Sequence, residues 1–264
     1  LFAGAALAVA GALVPVSAAG GAPGDVSASL TIVDAYTADY PGDPNPITVC
    51  LDGTTVSTNL TAGGQVDPIE MSSSSATVDV FDGADADCGG TPTFAATVTF
   101  ADGDDLGLVL TYRAWFTFPY ENGCPADGAA WVMGAQAADI TENYETVDVF
   151  FIKSDETVDD LFPIFSGLQY LSADQLELPV GTYDFLFFGA GQDPFTSAPL
   201  GEAKDVVLGP ETSTQLFLAG GEGFYEEQSG VIVTQRATEP CATEPEQPTS
   251  TTTPQYSWPI CMGL

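Results

Sequence analysis

Histidine is absent from this chain of 264 residues, and lysine and arginine together occur only four times. Without histidine, the usual base of a catalytic triad and a common zinc ligand are missing. With 37 aspartates and glutamates, the formal net charge is −33. Because such a surface repels nucleic-acid phosphates and anionic lipid headgroups, we expect no nucleic-acid partner and no binding to an anionic membrane.

Short catalytic motifs are missing as well. The sequence has neither the nucleophile elbow G-x-S-x-G nor a glycine-rich phosphate loop. A pair of carboxylates, as in glycosidases, is the catalytic option that remains, but in so acidic a chain such pairs arise by chance. The sequence therefore assigns no catalytic residue and no cofactor-binding residue, and we expect a protein that is not an enzyme and needs no cofactor.

Long apolar runs are confined to the first 19 residues, which carry no charge. An apolar run that ends in small residues, here Ser17-Ala18-Ala19, is typical of a secretory signal peptide. The chain starts with Leu1 and no positively charged segment precedes the run, so we infer that the beginning of the signal is missing. The alternative is a membrane anchor, although the run is shorter than the roughly 20 residues that a span needs. We interpret 1–19 as a signal peptide and expect a secreted or cell-surface protein.

After the signal, apolar residues occur in short runs rich in Val, Thr, Phe and Tyr, such as ATVDVF, FAATVTF and GTYDFLFF, and turn residues separate them. This pattern is typical of β-strands. A weak helical period appears at 157–171, where Pro163 and Gly167 instead predict a loop or one short helical turn. The fold class predicted is all-β.

Comparison of the sequence with itself indicates one module used twice. Four pairs of segments align in the same order, at offsets that grow from 100 to about 108. The pairs are Ile47–Leu51 with Val147–Phe151 (offset 100), Ala76–Ala84 with Gly181–Gly189 (offset near 105), Val98–Asp102 with Val206–Pro210, and Leu108–Thr111 with Leu216–Ala219. Since each copy has about 100 residues, we predict two tandem immunoglobulin-like antiparallel β-sandwich domains.

Changes in composition divide the chain further. The first module is predicted at 26–122, and a turn-rich stretch precedes the second at 129–236. From 237 to 264 the chain is rich in Thr and Pro, which indicates an extended tail rather than a core.

Several segments resemble a family of exported bacterial and archaeal proteins, the domain of unknown function 4397. Pro46–Thr54 and Thr146–Phe150 are similar to its V-D-V-Y-V-D-G-T segment, and Leu178–Tyr183 is similar to its L-P-A-G-T-Y segment. The family's opening V-H-A-S-P-D-A-P corresponds to Val33–Tyr36 and Met133–Asp139, without the histidine. The resemblance covers roughly 28–235 and implies the fold and export, but no activity.

Five cysteines are present, and none forms a C-x-x-C pair or a metal-type spacing. Cys50 and Cys88 lie in the same module, and in an exported protein we predict a disulfide between them. Two arrangements stay open for the others. Cys241 could pair with Cys261 and leave Cys124 unpaired, or Cys124 could pair with Cys241 and tie the two modules together.

Two acidic turns are the candidates for a metal site, since Ca²⁺ prefers several oxygen ligands. Neither fits the EF-hand pattern, and aspartate is favoured in turns in any case, so we assign no metal ligand. The residues are Asp82, Asp85 and Asp87 in one turn and Asp102, Asp104 and Asp105 in the other.

Aromatic residues are concentrated near the end of the first module. Exposed, coplanar rings would form a sugar-binding platform, whereas rings packed in a core or at a domain contact are the alternative, which we favour. The residues are Tyr112, Trp115, Phe116, Phe118, Tyr120 and Trp131. Asn59-Leu60-Thr61 also matches an N-glycosylation site.

These features together predict an exported, non-enzymatic protein with a structural or adhesive role at the cell surface. The alternative is a carbohydrate- or ligand-binding module of a larger surface protein. The partners expected are an extracellular protein, a polysaccharide or a second copy of the chain.

Overall fold

The computed structural model describes residues 26–35, 46–84, 86–111, 114–120, 123–138, 144–153, 163–220 and 230–238. The predicted signal peptide at 1–19 lies outside these ranges, as does the predicted tail beyond Thr238. Within the described ranges the chain is all-β and contains no helix. No helix there is long and apolar enough to cross a bilayer.

The described residues form sixteen strands. They are β1 (Ala28–Asp34), β2 (Ile47–Leu51), β3 (Thr54–Leu60), β4 (Gln65–Met71), β5 (Ser75–Asp82), β6 (Phe94–Thr99), β7 (Asp105–Leu110), β8 (Trp115–Pro119), β9 (Ala129–Gln136), β10 (Thr146–Lys153), β11 (Pro163–Gln169), β12 (Ser172–Pro179), β13 (Gly181–Gly189), β14 (Gly201–Leu208), β15 (Thr212–Ala219) and β16 (Gly230–Ala237).

The chain divides into two compact units, Leu1–Tyr120 and Glu121–Leu264. The first unit consists of sheet I, in the order β4-β1-β7-β8, and sheet II, in the order β3-β2-β5-β6. The second consists of sheet III, in the order β12-β9-β15-β16, and sheet IV, in the order β11-β10-β13-β14. The strands β1 to β8 therefore correspond one by one to β9 to β16, and each unit is an eight-stranded sandwich.

The core of the first unit follows from the two-residue period of its strands. Successive side chains of a strand point to opposite faces, so every second residue faces the other sheet. Leu30 and Ile32 of β1 meet Val49 of β2 and Val78 of β5 in one buried cluster. Since this cluster draws on both sheets, the two sheets form one sandwich.

The second unit has a more aromatic core. Phe185 and Phe187 of β13 and Phe165 of β11 are buried with Val132 of β9 in one cluster. Tyr183 joins them, and its hydroxyl donates a hydrogen bond of 2.8 Å to the carbonyl oxygen of Pro179. The L-P-V-G-T-Y segment is therefore a tight corner between β12 and β13 that is closed by its own tyrosine.

Neighbouring strands pair antiparallel, as predicted, with one exception in each unit. The first strand lies between two partners and runs parallel to the seventh: Ser29 to Asp34 of β1 pair with Asp105 to Leu110 of β7. In the second unit, β9 and β15 pair parallel in the same way. Sheets I and III are therefore mixed sheets.

The strand registers test the internal alignment directly. The register of β2 against β3 shifts between Ile47 and Val49 and again before Cys50, and that of β10 against β11 shifts between Val147 and Val149 and again before Phe150. The same irregularities recur 100 residues later, so the offset of 100 is confirmed for β2 and β10. The offset near 105 is wrong by two residues, because Val49 pairs with Val80 whereas Val149 pairs with Phe187. A slip of two residues keeps the same side chains on the core face, so the sequence pattern does not reveal it.

The loop or helical turn predicted at 157–171 is also corrected. Residues 154–162 lie outside the described part, but Pro163–Gln169 forms β11 and pairs antiparallel with β10. Pro163 is the first residue of an edge strand, where its missing N–H removes no hydrogen bond from the sheet. Gly167 adopts a φ of 70° at a register shift, and its N–H donates to Asp148 Oδ1 at 2.8 Å. Both residues therefore shape an irregular strand.

Replacement of Gly134 tests the packing of the second core. A Cβ at Gly134 of β9 would lie 2.6 Å from the ring of Phe165, whereas a Cβ at Gly230 of β16 meets nothing within 4 Å. We expect Gly134→Ala to lower the free energy of unfolding by about 1–3 kcal/mol through overpacking. Gly230→Ala, in the same sheet, is the matched control and should change it by under about 0.5 kcal/mol. Urea unfolding that gave equal stabilities for the two variants would contradict this packing.

Candidate functional site

In each unit, side-chain contacts anchor the loop after the fifth strand. In the first unit this is the loop 83–93, between β5 and β6. Thr48 of β2 is buried on the outer face of sheet II and donates a hydrogen bond of 2.9 Å to the carbonyl oxygen of Gly83. The N–H of Ala86 donates back to Thr48 Oγ1 at 3.0 Å. One buried hydroxyl thus fixes the start of the loop.

The predicted disulfide between Cys50 and Cys88 is confirmed and fixes the middle of the same loop. The Cα atoms of the two cysteines are 5.9 Å apart, and 38 positions separate them in the sequence. Cys50 is fully buried on the outer face of β2. Because the bridge joins a strand to the loop that covers it, loop 83–93 is held on the sheet covalently.

The equivalent loop of the second unit, 190–200, is held without a disulfide. Phe150 aligns with Cys50, and its ring packs edge-to-face on Phe188 at a centroid distance of 5.5 Å. The side chain of Gln192 accepts a hydrogen bond from the N–H of Gly189 at 3.0 Å and donates one to Tyr144 Oη at 2.7 Å. An aromatic pair therefore takes the place of Cys50 on the strand, and a bridging amide holds the start of the loop.

The tip of loop 190–200 presents an aromatic side chain to solvent. Both carboxylate oxygens of Asp193 accept hydrogen bonds, from the N–H of Phe195 at 3.0 Å and from the hydroxyl of Thr196 at 3.1 Å. Pro194 restricts φ within this turn. The side chain of Phe195 is nevertheless 58% exposed. The turn thus holds an apolar ring in water on a backbone fixed by hydrogen bonds.

The sequence did not single out Phe195. Its only local signal is the dipeptide Asp193-Pro194, which favours a turn. Exposure of the neighbouring ring depends on how the loop folds onto the sheet, which no local pattern encodes.

The acidic turns do not form a metal site among the described residues, where no group of three or more ligating side chains comes together. In the second turn, Asp102 accepts a hydrogen bond from the N–H of Ser27 at 2.9 Å, and Asp104 accepts one from Ala101 at 2.6 Å. Asp105 accepts a hydrogen bond from the hydroxyl of Ser29.

In the first turn, Asp87 accepts a hydrogen bond from the N–H of Gly89 at 3.0 Å, whereas Asp85 lies outside the described residues. Like Asp102 and Asp104 of the second turn, this carboxylate accepts a hydrogen bond from a backbone N–H and stabilises its loop.

The aromatic residues of the first unit do not form an exposed platform. Phe116, Phe118 and Tyr120 are buried, Trp115 packs partly against the core, and Tyr112 lies outside the described residues. A Cβ at Gly107 would lie 2.2 Å from the ring of Phe118. The tip of the ring thus occupies the space of a side chain at position 107, which only a glycine leaves free.

In the second unit, Trp131 is also not part of an exposed platform. It is half-buried, and its Nε1 donates a hydrogen bond of 2.8 Å to the carbonyl oxygen of Gly123. Its polar edge is therefore engaged with the segment that precedes β9.

Two equivalent polar residues are buried at the ends of the first strands. Asp34 ends β1 and Gln136 ends β9, and both are fully buried on the core face. Within the described part of the chain, neither amide atom of Gln136 has a hydrogen-bonding partner. Leaving such a group unsatisfied costs about 1–3 kcal/mol. The family's opening histidine aligns with this region, but the sequence did not predict that Asp34 and Gln136 are buried.

No family model and no curated protein sequence matches the chain. Among solved structures, an α-glucan-binding streptococcal virulence factor is 12% identical and covers 74% of this chain and 93% of its own, with a TM-score of 0.23. A putative cell adhesion protein from Parabacteroides distasonis is 13% identical and covers 80% and 99%, with a TM-score of 0.23.

The chain spans about a third of the Bacillus anthracis TIE protein (34%), which is 9% identical over 78% of this chain, with a TM-score of 0.23. At these scores the likenesses carry no argument on function.

The disulfide that holds loop 83–93 is testable by its removal. We expect Cys50→Ala combined with Cys88→Ala to lower the free energy of unfolding of the first unit by about 3–4 kcal/mol, because the unfolded chain regains the entropy of a 38-residue separation. Amide hydrogen exchange should quicken in 83–93 and stay unchanged in 190–200, the matched loop of the second unit. Unchanged protection in both loops would show that the bridge is dispensable.

A second prediction concerns the disulfide partner of Cys124. Cys124 is disulfide-bonded, so the arrangement that leaves it unpaired is excluded. It belongs to the second unit, so a bond to Cys241, outside the described residues, would close that unit rather than tie two modules. The strand order favours this bond, because the end of β16 and the start of β9 both flank the start of β15. A non-reducing peptide map should recover Cys124 with Cys241; recovery with Cys261 would contradict it.

Proposed function

We propose that this is an exported, non-enzymatic protein of the cell surface or its surroundings, with a structural or adhesive role. The Cys50–Cys88 disulfide supports export, because such bonds persist in oxidising compartments. The net charge of −33 keeps a protein strongly hydrated and disperses it from like-charged surfaces. Membership of the family of unknown function 4397 is part of this proposal.

The observation that carries the proposal is the exposed ring of Phe195 on its anchored loop. Binding residues are commonly placed on loops that a rigid scaffold positions. Here the sandwich supplies the scaffold, and the side chain of Gln192, bonded to Gly189 and Tyr144, anchors the base of the loop. The turn at Asp193 fixes its tip. A rigid aromatic side chain contributes large contact area at a low entropic cost.

The partner that this arrangement fits is a protein or polysaccharide surface with an apolar recess. An aromatic ring packs against aliphatic side chains of a protein and also against the apolar face of a sugar ring. The carbohydrate-binding alternative therefore uses the same residue. Only the identity of the bound molecule distinguishes it from the adhesive role.

A binding screen with two matched variants tests this function. The chain is screened against extracellular-matrix proteins and insoluble polysaccharides, and its strongest partner is measured again with Phe195→Ala and Val207→Ala. Val207 is 60% exposed on β14, so it is an equally apolar control outside the loop. We expect Phe195→Ala to weaken binding about 5- to 30-fold, as for an interface anchor, and Val207→Ala to leave it unchanged.

Both variants should unfold at the wild-type temperature, because neither side chain belongs to a core. Equal binding by Phe195→Ala and the wild type would contradict an adhesive role of this loop. A partner that is a glycan rather than a protein would replace the adhesive proposal by the carbohydrate-binding one.

A further inference from the structure

The edge strands of the two sandwiches are protected to different degrees. An edge strand presents unpaired N–H and C=O groups, and proteins protect such edges with charges, prolines, bulges or cover. In the described residues, β4 and β12 carry acidic residues and a proline, and β8 carries Pro119. The strands β3 and β11 pair with register shifts, and β16 carries Arg236.

The strand β14 of the second unit is protected in three ways. Its pairing with β13 is interrupted by a register shift, next to which Asp205 adopts a φ of 56°. Glu202 and Lys204 form an exposed ion pair at 2.9 Å, and this hydrogen bond raises the pKa of Lys204. Gln235 of β16 donates a hydrogen bond of 2.8 Å to the carbonyl oxygen of Val207.

Its counterpart in the first unit, β6 (Phe94–Thr99), has none of these devices. It reads FAATVT, without charge, proline or glycine, in a chain with 37 acidic residues. All six residues pair with β5 in one regular register. Among the described edges, β6 alone is straight, uncharged and free of proline.

The hydrogen bonds of β6 define which backbone groups face outward. The N–H of Phe100 donates to the carbonyl oxygen of Ser74 at 2.9 Å, which fixes the phase of the antiparallel ladder. In such a ladder, alternate residues direct both backbone groups to the partner strand. The even-numbered residues of β6 therefore bond to β5, and Ala95, Thr97 and Thr99 direct theirs away from the sheet.

We propose that β6 pairs antiparallel with β6 of a second copy of this chain. The outward set is symmetric about Thr97, so a twofold axis at this residue pairs Thr97 with itself and Ala95 with Thr99. The twofold axis thus creates three hydrogen-bonded pairs, because Ala95 of each copy meets Thr99 of the other. Since each pair exchanges two hydrogen bonds, the contact has roughly six. Ala96 and Val98 face the core, so the core-facing side of sheet II becomes continuous across both copies.

The symmetry of the outward set and the absence of charge on β6 favour a second copy over another partner. An acidic edge would select a cationic strand, but no side chain of β6 is ionisable. Two copies of β6 meet without any like-charge pair, and Thr–Thr pairs across antiparallel strands are favourable. The proposal rests on the structural or adhesive role above and specifies self-association as one of its contacts.

The acidic residues beside β6 and the net charge of the chain predict how the pairing responds to salt. Asp102 and Asp104 follow β6, and Asp87 lies in the loop before it, so the twofold arrangement brings carboxylates of the two copies towards each other. At low ionic strength these charges, with a net −33 on each copy, oppose association. Salt screens them over about 3 Å at 1 M, compared with about 10 Å at 0.1 M. The dimer should therefore strengthen as salt increases, whereas pairing with a cationic strand would weaken.

Sedimentation of the full chain at 0.05–2 M NaCl tests the proposal, with Thr97→Lys and Thr58→Lys as matched variants. Both are exposed threonines on edge strands of sheet II, but Thr97 lies on the twofold axis and Thr58 on the opposite edge. We expect the wild type and Thr58→Lys to double in mass as salt rises. Thr97→Lys should weaken the dimer about two- to fivefold, since it places like charges directly opposite each other.

A cross-link gives a second readout that does not depend on affinity. Directly opposite residues of a hydrogen-bonded pair have Cα atoms about 5.5 Å apart, within the range that a disulfide spans. Thr97→Cys should therefore form a covalent dimer on a non-reducing gel above the wild-type background, and Thr58→Cys should not.

A monomer at every salt concentration, or equal cross-linking of the two cysteine variants, would overturn the pairing through β6. So would a dimer that Thr97→Lys leaves intact. The Phe195-dependent binding is measured separately, and we expect Thr97→Lys to retain it. Failure of the pairing is thus distinguishable from failure of the proposed function.

Discussion

The parallel pairing of the first strand with the seventh is the contact on which each sandwich depends. In the first unit, β1 lies between β4 and β7 and supplies the centre of sheet I, against which sheet II packs. The paired residues Ser29 and Asp105 are 76 positions apart, so this contact closes almost the whole module. Long-range pairings of this kind form late and slowly during folding. Loop 83–93 is bonded to sheet II, which packs against the sheet that this pairing completes.

Much of the fold could be predicted because it is encoded locally. The alternation in ATVDVF and GTYDFLFF specifies strands with one buried face, and those segments are β5 and β13. The repeat at an offset of 100 reflects equal spacing in β2 and β10, and the structure reproduces it residue by residue. The Cys50–Cys88 bond followed from two cysteines in one module of an exported protein.

Features that depend on distant parts of the chain could not be predicted. The parallel direction of β1 and β7 leaves no local trace, and Pro163 and Gly167 indicate a break where tertiary pairing instead stabilises β11. The same limit applies to the candidate site. Exposure of Phe195 depends on the sheet beneath its loop, and burial of Gln136 depends on strands far from it in sequence.

The difference between β6 and β14 limits how many copies can assemble. A chain with two open edges would be bivalent, and bivalent chains add to one another without end unless their geometry closes. The bulge at Asp205 and the hydrogen bond from Gln235 remove one of the two equivalent edges. A duplicated module with both edges open could add copies at each end. With the β14 edge closed, β6 is the open one of this pair among the described strands, and pairing through it ends at the dimer.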